Sequence, residues 1–551
     1  MGATPRSVYV GRSLGQPGRQ GVMMVRRMLL GFVFAALVGA TPAVTGSAGA
    51  GSRSTAAPIE DASVDGASCA KVFTLSLPDT IITNATVVRA TADTPEYCRV
   101  LGAIEKVILF EVALPTAWNG KFFYAGGGGF NGTIPLLTHG VARGYATAGS
   151  DTGHQGEATD GSWALDNEPA QVNYAHRATH LVVVAAKQIV RSFYSQHEKR
   201  AYWLGCSNGG KMGLMEIQRY PNDFDGVVVG NFVIDRTGLM TTYTWNAKAL
   251  AEAPIPQYKI PAIDKATLAA CDPQDGLTDG LIDRPERCKF DPKVLACNGA
   301  DAPDCLTPGQ VRALEKIYAG PTTSTGKRLF PGYPPGHEDD YPGYVTGFGS
   351  LSSYPANSWK WQNQFWRFFV FGSSFDPLTQ FDFDKTPGLP RFKAIAAVQD
   401  AYNADLSAFK AHGGKLIMYH GWADHSISPL RTVQYFGDIR QTMGAGSDDF
   451  LRLFIAPGLH HCVNGPGPNT FGGRGHAWLK NDVDHDIVRA LDRWVEQGVA
   501  PQRIIAAKFK NDDPKQGVAR TRPLCPYPQM AQYKGSGSVD DAANFVCANP
   551  K

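Results

Sequence analysis

The chain has 551 residues, 43% hydrophobic and 19% charged, with a formal net charge of +3. That length holds one large domain with an insertion, or two or three ordinary domains. The balanced charge, without a long basic run, argues against nucleic acid as a partner, and sixty glycines with thirty-seven prolines describe a loop-rich chain rather than a helical bundle.

Residues 1–50 read as a signal peptide and leader. "MVRRMLLGFVFAALVGATPAVTGSAGA" sets Arg26 and Arg27 before a short apolar run and ends on the small residues Ala48, Gly49 and Ala50, the pattern of a secretory signal. Met23 or Met24 suits as the start, because the residues before them resemble neither signal nor domain. The apolar run is too short to span a membrane comfortably and no second one follows. A secreted or periplasmic protein without a stable membrane span is therefore expected, in preference to a retained anchor.

Residues 51–235 read as the first part of an α/β core. "KVFTLSLPDTIITNATVV" alternates as strands do, and "VILFEVALPTAWNGKFFYAGGGGFNG" continues with β-branched and aromatic runs into four glycines, 126–129. "GYATAGSDTGH" gives a further strand and "AHRATHLVVVAAKQIVRSFY" a helix. "RAYWLGCSNGGKMGLMEIQRYP" is a buried strand, a glycine turn and a helix stopped by Pro221, and "FDGVVVGNFV" is another apolar run. Strands alternating with helices imply a parallel sheet. Residues 236–390 lose that alternation and read as an inserted lid. Residues 391–551 resume it in "KLIMYHGWAD", "LRTVQYFGDIRQTM", "LRLFIAPG" and "HDIVRALDRWVEQG". A tail from Gln502 reads as a surface segment stapled by its own cysteines.

In an oxidising compartment ten cysteines suggest five disulfides. They cluster as Cys69 with Cys98, Cys271 with Cys288, Cys297 with Cys305, and Cys525 with Cys547. Cys206 and Cys462 are left without local partners. Connectivity does not follow from sequence, so these pairings stand as expectations.

Gly205-Cys206-Ser207-Asn208-Gly209 fits G-x-S-x-G between a strand and a helix. Such a turn presents the serine at the strand tip and offers helix N-terminal amides to a developing oxyanion. A glycine turn is common by itself, and serine needs a base. "KLIMYHGWAD" ends at Asp424 and "LFIAPGLHHC" at His460, His461 and Cys462, each just past a buried strand and in the order serine, acid, histidine. That placement selects Ser207, Asp424 and His461. If Cys206 pairs with Cys462, the bridge ties the nucleophile turn to the histidine loop, which favours His461 over His460. A loop of that length is worth about 4–5 kcal/mol in the chain-entropy view. Two competitors fare worse. Cys206 as a thiol nucleophile is disfavoured because the turn presents the next residue, and a zinc site on His460, His461 and Cys462 lacks a second ligand pair.

"GCSNGG", "HGWAD" and "PGLHHC", with cysteines flanking serine and histidine, resemble the tannase and feruloyl esterase family, which also includes the hydrolase of mono(2-hydroxyethyl) terephthalate. The likeness reaches "RPLCPYPQMAQYKGSG" near the end. It implies an α/β-hydrolase core with a large lid insertion, Ser207, Asp424 and His461 as the triad, and Cys206–Cys462 as a bridge. The glycine run, lying after an early strand upstream of the serine, suits an oxyanion donor better than a phosphate loop lacking a lysine. The resemblance supports Gly128 or Gly129 beside the N–H of Asn208.

"CDPQDGLTDGLIDRPERC" crowds four aspartates between two cysteines. It reads either as a polar turn-rich loop or as a site for a hard cation. The resemblance implies structural Ca²⁺ held by Asp272, Asp275 and Asp279 with the carbonyls of Leu277 and Leu281, and Asp283 as an extra. The lid stretch "SSYPANSWKWQNQFWRFFVFGSSF", with Lys360 and Arg367, reads as lid core or, as a group, an aromatic acyl pocket. The family implies small aromatic esters of the feruloyl, galloyl or terephthaloyl kind, borne in some cases on plant cell-wall polysaccharide or polyphenol. A silent binding protein on the same fold is the reading from a different class.

Overall fold

A computed structural model describes residues 66–349, 353, 355–473 and 479–550, so the signal segment lies outside the described residues. Strands β1 (Thr80–Val88), β2 (Tyr97–Ile104), β3 (Ile108–Pro115), β4 (Lys121–Ala125), β5 (Ala146–Ser150), β6 (Arg200–Cys206), β7 (Gly226–Gly230), β8 (Lys415–Gly421) and β9 (Leu451–Ala456) form one sheet. Its order is β1-β2-β3-β5-β4-β6-β7-β8-β9. The first three strands and β5 pair antiparallel, and β5 onward is parallel through β9.

The parallel strands read as near-continuous apolar runs because both sheet faces are covered. Phe122, Tyr124, Trp203, Val227, Val229, Leu416 and Met418 face one core, filled from the helices Ala178–Tyr194, Asn208–Arg219 and Pro429–Met443. The alternate residues Phe123, Tyr202, Leu204, Val228, Ile417 and Tyr419 face the other, against Ile487, Leu491 and Trp494 of the helix Ile487–Gln497. Ser207, Asp424 and His461 follow β6, β8 and β9, so all three stand at the carboxyl edge of parallel strands.

Between β7 and β8 the chain adds no strand to this sheet. Leu250, Ile255, Ile263, Leu314 and Ile317 form an aliphatic cluster there. Phe365, Trp366, Phe369, Phe381 and Phe392 form an aromatic one that takes in Phe130 and Tyr174 from the first part of the chain. Most of the aromatic run in the insertion is therefore packing core.

All five expected cysteine pairs form disulfides: Cys69–Cys98, Cys206–Cys462, Cys271–Cys288, Cys297–Cys305 and Cys525–Cys547. Among the described residues no helix is long and apolar enough to cross a membrane.

Two segments depart from the sequence reading. "KVFTLSLP" is not a strand: a helix, Gly66–Lys71, runs into a tight turn, Val72–Thr74, and buries Cys69 and Val72 three residues apart. The tail is more than a surface segment. Its strands β10 (Ile504–Phe509) and β11 (Val518–Leu524) pair, and β12 (Met530–Tyr533) pairs with β13 (Phe545–Ala548). Ile504, Ala506 and Leu524 sit in the second core. Leu524→Ala is expected to destabilise the protein by about 2–5 kcal/mol in denaturant titrations, as for a core leucine, whereas a surface tail gives a negligible change.

Candidate active site

Ser207 follows β6 directly and caps the helix Asn208–Arg219 with φ 60° and ψ −124°. That left-handed backbone is unfavourable for a residue with a Cβ and persists only when its surroundings impose it. Its N–H donates to Gly230 O at 2.9 Å, and its carbonyl accepts from Lys211 N–H at 3.1 Å. The flanking glycines have a steric cause. A Cβ on Gly209 would stand 2.6 Å from the Gly127 carbonyl oxygen, and one on Gly205 would collide with the Gly209 backbone. The glycine run 126–129 thus passes directly over the nucleophile turn.

Among the described residues no acceptor takes the N–H of Gly128 or Gly129. Asn208 opens its helix, so its N–H has no acceptor within that helix. These amides are brought together around Ser207. The loop is braced by Tyr174, whose hydroxyl donates to Gly129 O at 2.8 Å, and by Arg236, which donates to Asn208 Oδ1 and to the Tyr174 oxygen.

Asp424 is fully buried and accepts four hydrogen bonds, with a fifth nitrogen close by. Oδ1 takes the N–H groups of Ser426 (2.8 Å) and Ile427 (2.9 Å). Oδ2 takes His461 Nδ1 (2.9 Å) and Asn231 Nδ2 (2.8 Å), and His420 Nε2 stands 3.1 Å from it. Burial alone would raise this carboxyl. The His461 charge and the hydrogen bonds of His420 and His461 outweigh it and hold Asp424 well below the usual carboxylate range. With Asp424 anionic, His461 keeps its proton on Nδ1 and leaves Nε2 as the basic nitrogen.

Asn231 and His420 were not marked by the sequence. Asn231 stands one residue past β7 in the left-handed region, φ 39°, and its amide bridges Asp424 and His460 O. The tip of an apolar strand, "VVVGN", was its available signal. His420 lies within β8, with Thr432 Oγ1 at 2.8 Å from Nδ1 and Ile427 O at 3.0 Å from Nε2.

His460 and His461 separate cleanly. His461 meets Asp424, while His460 Nε2 donates to Asp339 of the insertion at 3.2 Å. Cys462, at φ 69°, follows them and bonds to Cys206, with Cα atoms 6.1 Å apart. Both cysteines are committed to this bond, which removes the thiol nucleophile and the cysteine ligand of a zinc site.

Ser207 and His461 line one cavity of about 530 Å³ with the glycines 126–129, Thr133, Pro135, Leu136, Tyr344, Asn357 and Trp361. Tyr344 stands edge-on to His461, ring centroids 5.3 Å apart, and Trp361 is fixed by its indole N–H on Ala158 O at 3.0 Å. Lys360 is exposed, and Arg367 donates to Ser373 O, so neither charge lines this cavity. A larger recess of about 1000 Å³ on the insertion, by Pro254, Pro256 and Phe348, holds none of the three residues.

In the aspartate loop, Asp272 accepts from Gly280 N–H (2.9 Å) and Asp279 N–H (3.3 Å). Asp275 accepts from Leu277 N–H (3.0 Å) and Asp283 N–H (3.3 Å), and Asp279 from Leu281 N–H (3.2 Å). Arg522 of the tail meets Asp279. Burial, with the neighbouring carboxylates adding to it, pushes Asp275 up to about 6 and Asp283 up to about 7. Asp283 Oδ1 is buried without a partner, and among the described residues the carbonyls of Leu277 and Leu281 accept no hydrogen bond. Crowded oxygens of this kind fit a hard cation.

A parallel sheet carrying serine, aspartate and histidine after successive strand ends, with a nucleophile turn under a glycine loop, defines an α/β-hydrolase. The profile of the tannase and feruloyl esterase family matches residues 89–548. An uncharacterised esterase of Xanthomonas campestris pv. campestris is 37% identical over 528 residues, covering 88% of this chain and 91% of its own. The mono(2-hydroxyethyl) terephthalate hydrolase of Piscinibacter sakaiensis is 32% identical, over 83% of this chain and 85% of its own. The crystal structure of feruloyl esterase B from Aspergillus oryzae superposes with a TM-score of 0.78 at 28% identity, over 88% of this chain and 100% of that one. The chain belongs to the tannase and feruloyl esterase family and is a carboxylic ester hydrolase.

Burial lowers His460, but the Asp339 hydrogen bond and the Asp340 and Asp339 charges outweigh it and hold this imidazole above its ordinary value. A histidine raised on folding stabilises fully below its unfolded value of about 6.5 and loses that contribution as pH rises through the folded one. Melting temperatures measured from pH 6 to 9 are therefore expected to fall more for the parent protein than for His460→Gln. Parallel curves would show that the His460–Asp339 contact carries no such linkage.

Proposed function

We propose that the protein is a secreted or periplasmic serine esterase for phenolic acid esters, of the feruloyl kind. Ser207 Oγ attacks the ester carbonyl while His461 Nε2 takes its proton and Asp424 holds the imidazolium. The amides of Asn208 and of Gly128 or Gly129 receive the oxyanion. His461 returns the proton to the departing alcohol, and a water activated by the same nitrogen releases the acid.

The observation that carries this reading is the shared cavity: Ser207 and His461 face one space beneath Tyr344 and Trp361. About 530 Å³ suits one aromatic ring with a short ester arm. Pro135, Leu136 and the two aromatic rings favour an uncharged ring over the free carboxylate of a terephthalate monoester, with His139 the one imidazole beside His461 in the lining. Galloyl esters are the second reading, since Thr133 and Asn357 offer polar groups to ring hydroxyls. The disulfide-rich chain suits an exported enzyme acting on phenolic esters carried by plant cell-wall polysaccharide or polyphenol.

We propose also that the loop of Asp272, Asp275 and Asp279, with the Leu277 and Leu281 carbonyls, holds structural Ca²⁺. Chelation followed by calcium return is expected to lower and then restore the melting temperature, while Asp275→Asn loses the response. A melting temperature indifferent to calcium would remove the ion from this account.

Ser207→Ala is expected to cut kcat on methyl ferulate by about 10³-fold or more and to abolish fluorophosphonate labelling. Retained labelling would place the nucleophile elsewhere. In a panel of methyl ferulate, methyl gallate and mono(2-hydroxyethyl) terephthalate, the highest kcat/KM is expected for the ferulate. Preference for the terephthalate would overturn the assignment of an uncharged acyl ring.

A further inference from the structure

On the sheet face behind the nucleophile turn, the helix Ala178–Tyr194, the far end of the helix Asn208–Arg219 and the turn after it meet at His180, Glu216 and Asp223. One ligand atom from each lies within 4.8 Å of the other two. His180 Nδ1 is 2.6 Å from Asp223 Oδ2. Glu216 is fully buried, and neither of its oxygens has a donor. A carboxylate in that position must be neutralised by a proton or by a cation. Lys187 gives its hydrogen bond to the Asp223 main-chain carbonyl at 2.7 Å and pairs with Glu198.

We infer that His180, Glu216 and Asp223 form a site for a divalent first-row cation, zinc fitting best. One imidazole and two carboxylates supply three ligands, and the solvent side leaves a fourth position for water. The site is reachable, because the His180 and Asp223 side chains are 31% and 15% exposed while Glu216 forms the floor. The ring orientation is already set. His180 stacks on Tyr220 with centroids 3.9 Å apart and planes 5° apart, and the Tyr220 hydroxyl is 2.9 Å from His176 Nδ1. Such outer contacts orient metal-binding imidazoles. Ligands at about 2.0–2.1 Å from zinc stand roughly 3.3 Å apart, so His180 and Asp223 open by a fraction of an ångström at the exposed rim.

The bound ion would pin the far end of the helix that begins at Ser207. Glu216 lies nine residues along that helix, roughly 13 Å from the serine, so the role is structural and outside the ester chemistry.

The test is calorimetric titration of untagged, chelator-stripped protein with Zn²⁺ in excess Ca²⁺, which keeps the aspartate loop supplied. One equivalent of zinc is expected to bind and to raise the melting temperature. His180→Ala, a rim substitution compatible with folding, is expected to weaken binding at least tenfold, and Asp223→Asn likewise. Zinc that fails to bind, or that binds His180→Ala as tightly as the parent, would overturn the site. A zinc-indifferent melting temperature together with a Glu216→Gln variant at least as stable as the parent would also overturn it, leaving a carboxyl pair that shares a proton.

Discussion

The bond between Cys206 and Cys462 is the constraint on which the site depends. It joins the residue before Ser207 to the residue after His461, across 256 residues of sequence that include the whole insertion. Both ends carry backbone strain, Ser207 at φ 60° and Cys462 at φ 69°. Neither strand end would hold such a conformation by propensity alone. The glycine contacts hold the first, and the covalent bond couples it to the second, so the two side chains proposed to exchange a proton are kept in register.

Charge completes what the bond begins. Asp424 is buried, yet four donors from the residue after β7, the turn beyond β8 and the histidine loop converge on it, with His420 of β8 beside them. An anion that would be expensive to bury is thereby kept ionised. His460, the neighbour of His461, turns to Asp339 and ties the same loop to the insertion. One short segment thus binds the core acid, the nucleophile turn and the lid.

What could be read in the sequence was what local geometry dictates. A strand, a glycine turn and a helix reveal Ser207, because only glycines fit where Gly209 meets Gly127. The apolar runs before Asp424 and His461 mark strand ends, since strands covered on both faces are apolar throughout. Asn231 and His420 escaped because their importance arises where separate strand ends meet. Lys360 and Arg367, close in sequence to Trp361, do not line the cavity. Phe365 and Trp366 beside them are core, and sequence pattern does not separate a buried aromatic from a pocket wall. The tail misled through its short strands, whose core face shows only as the alternation of Ile504 and Ala506.

The most direct measurement of this account is kcat on methyl ferulate for the Cys206→Ser/Cys462→Ser double variant, taken where far-UV and near-UV circular dichroism show the native fold. The account predicts a loss of about 10²-fold or more in kcat, as for misplaced catalytic groups. Turnover equal to that of the parent in the folded double variant would contradict it.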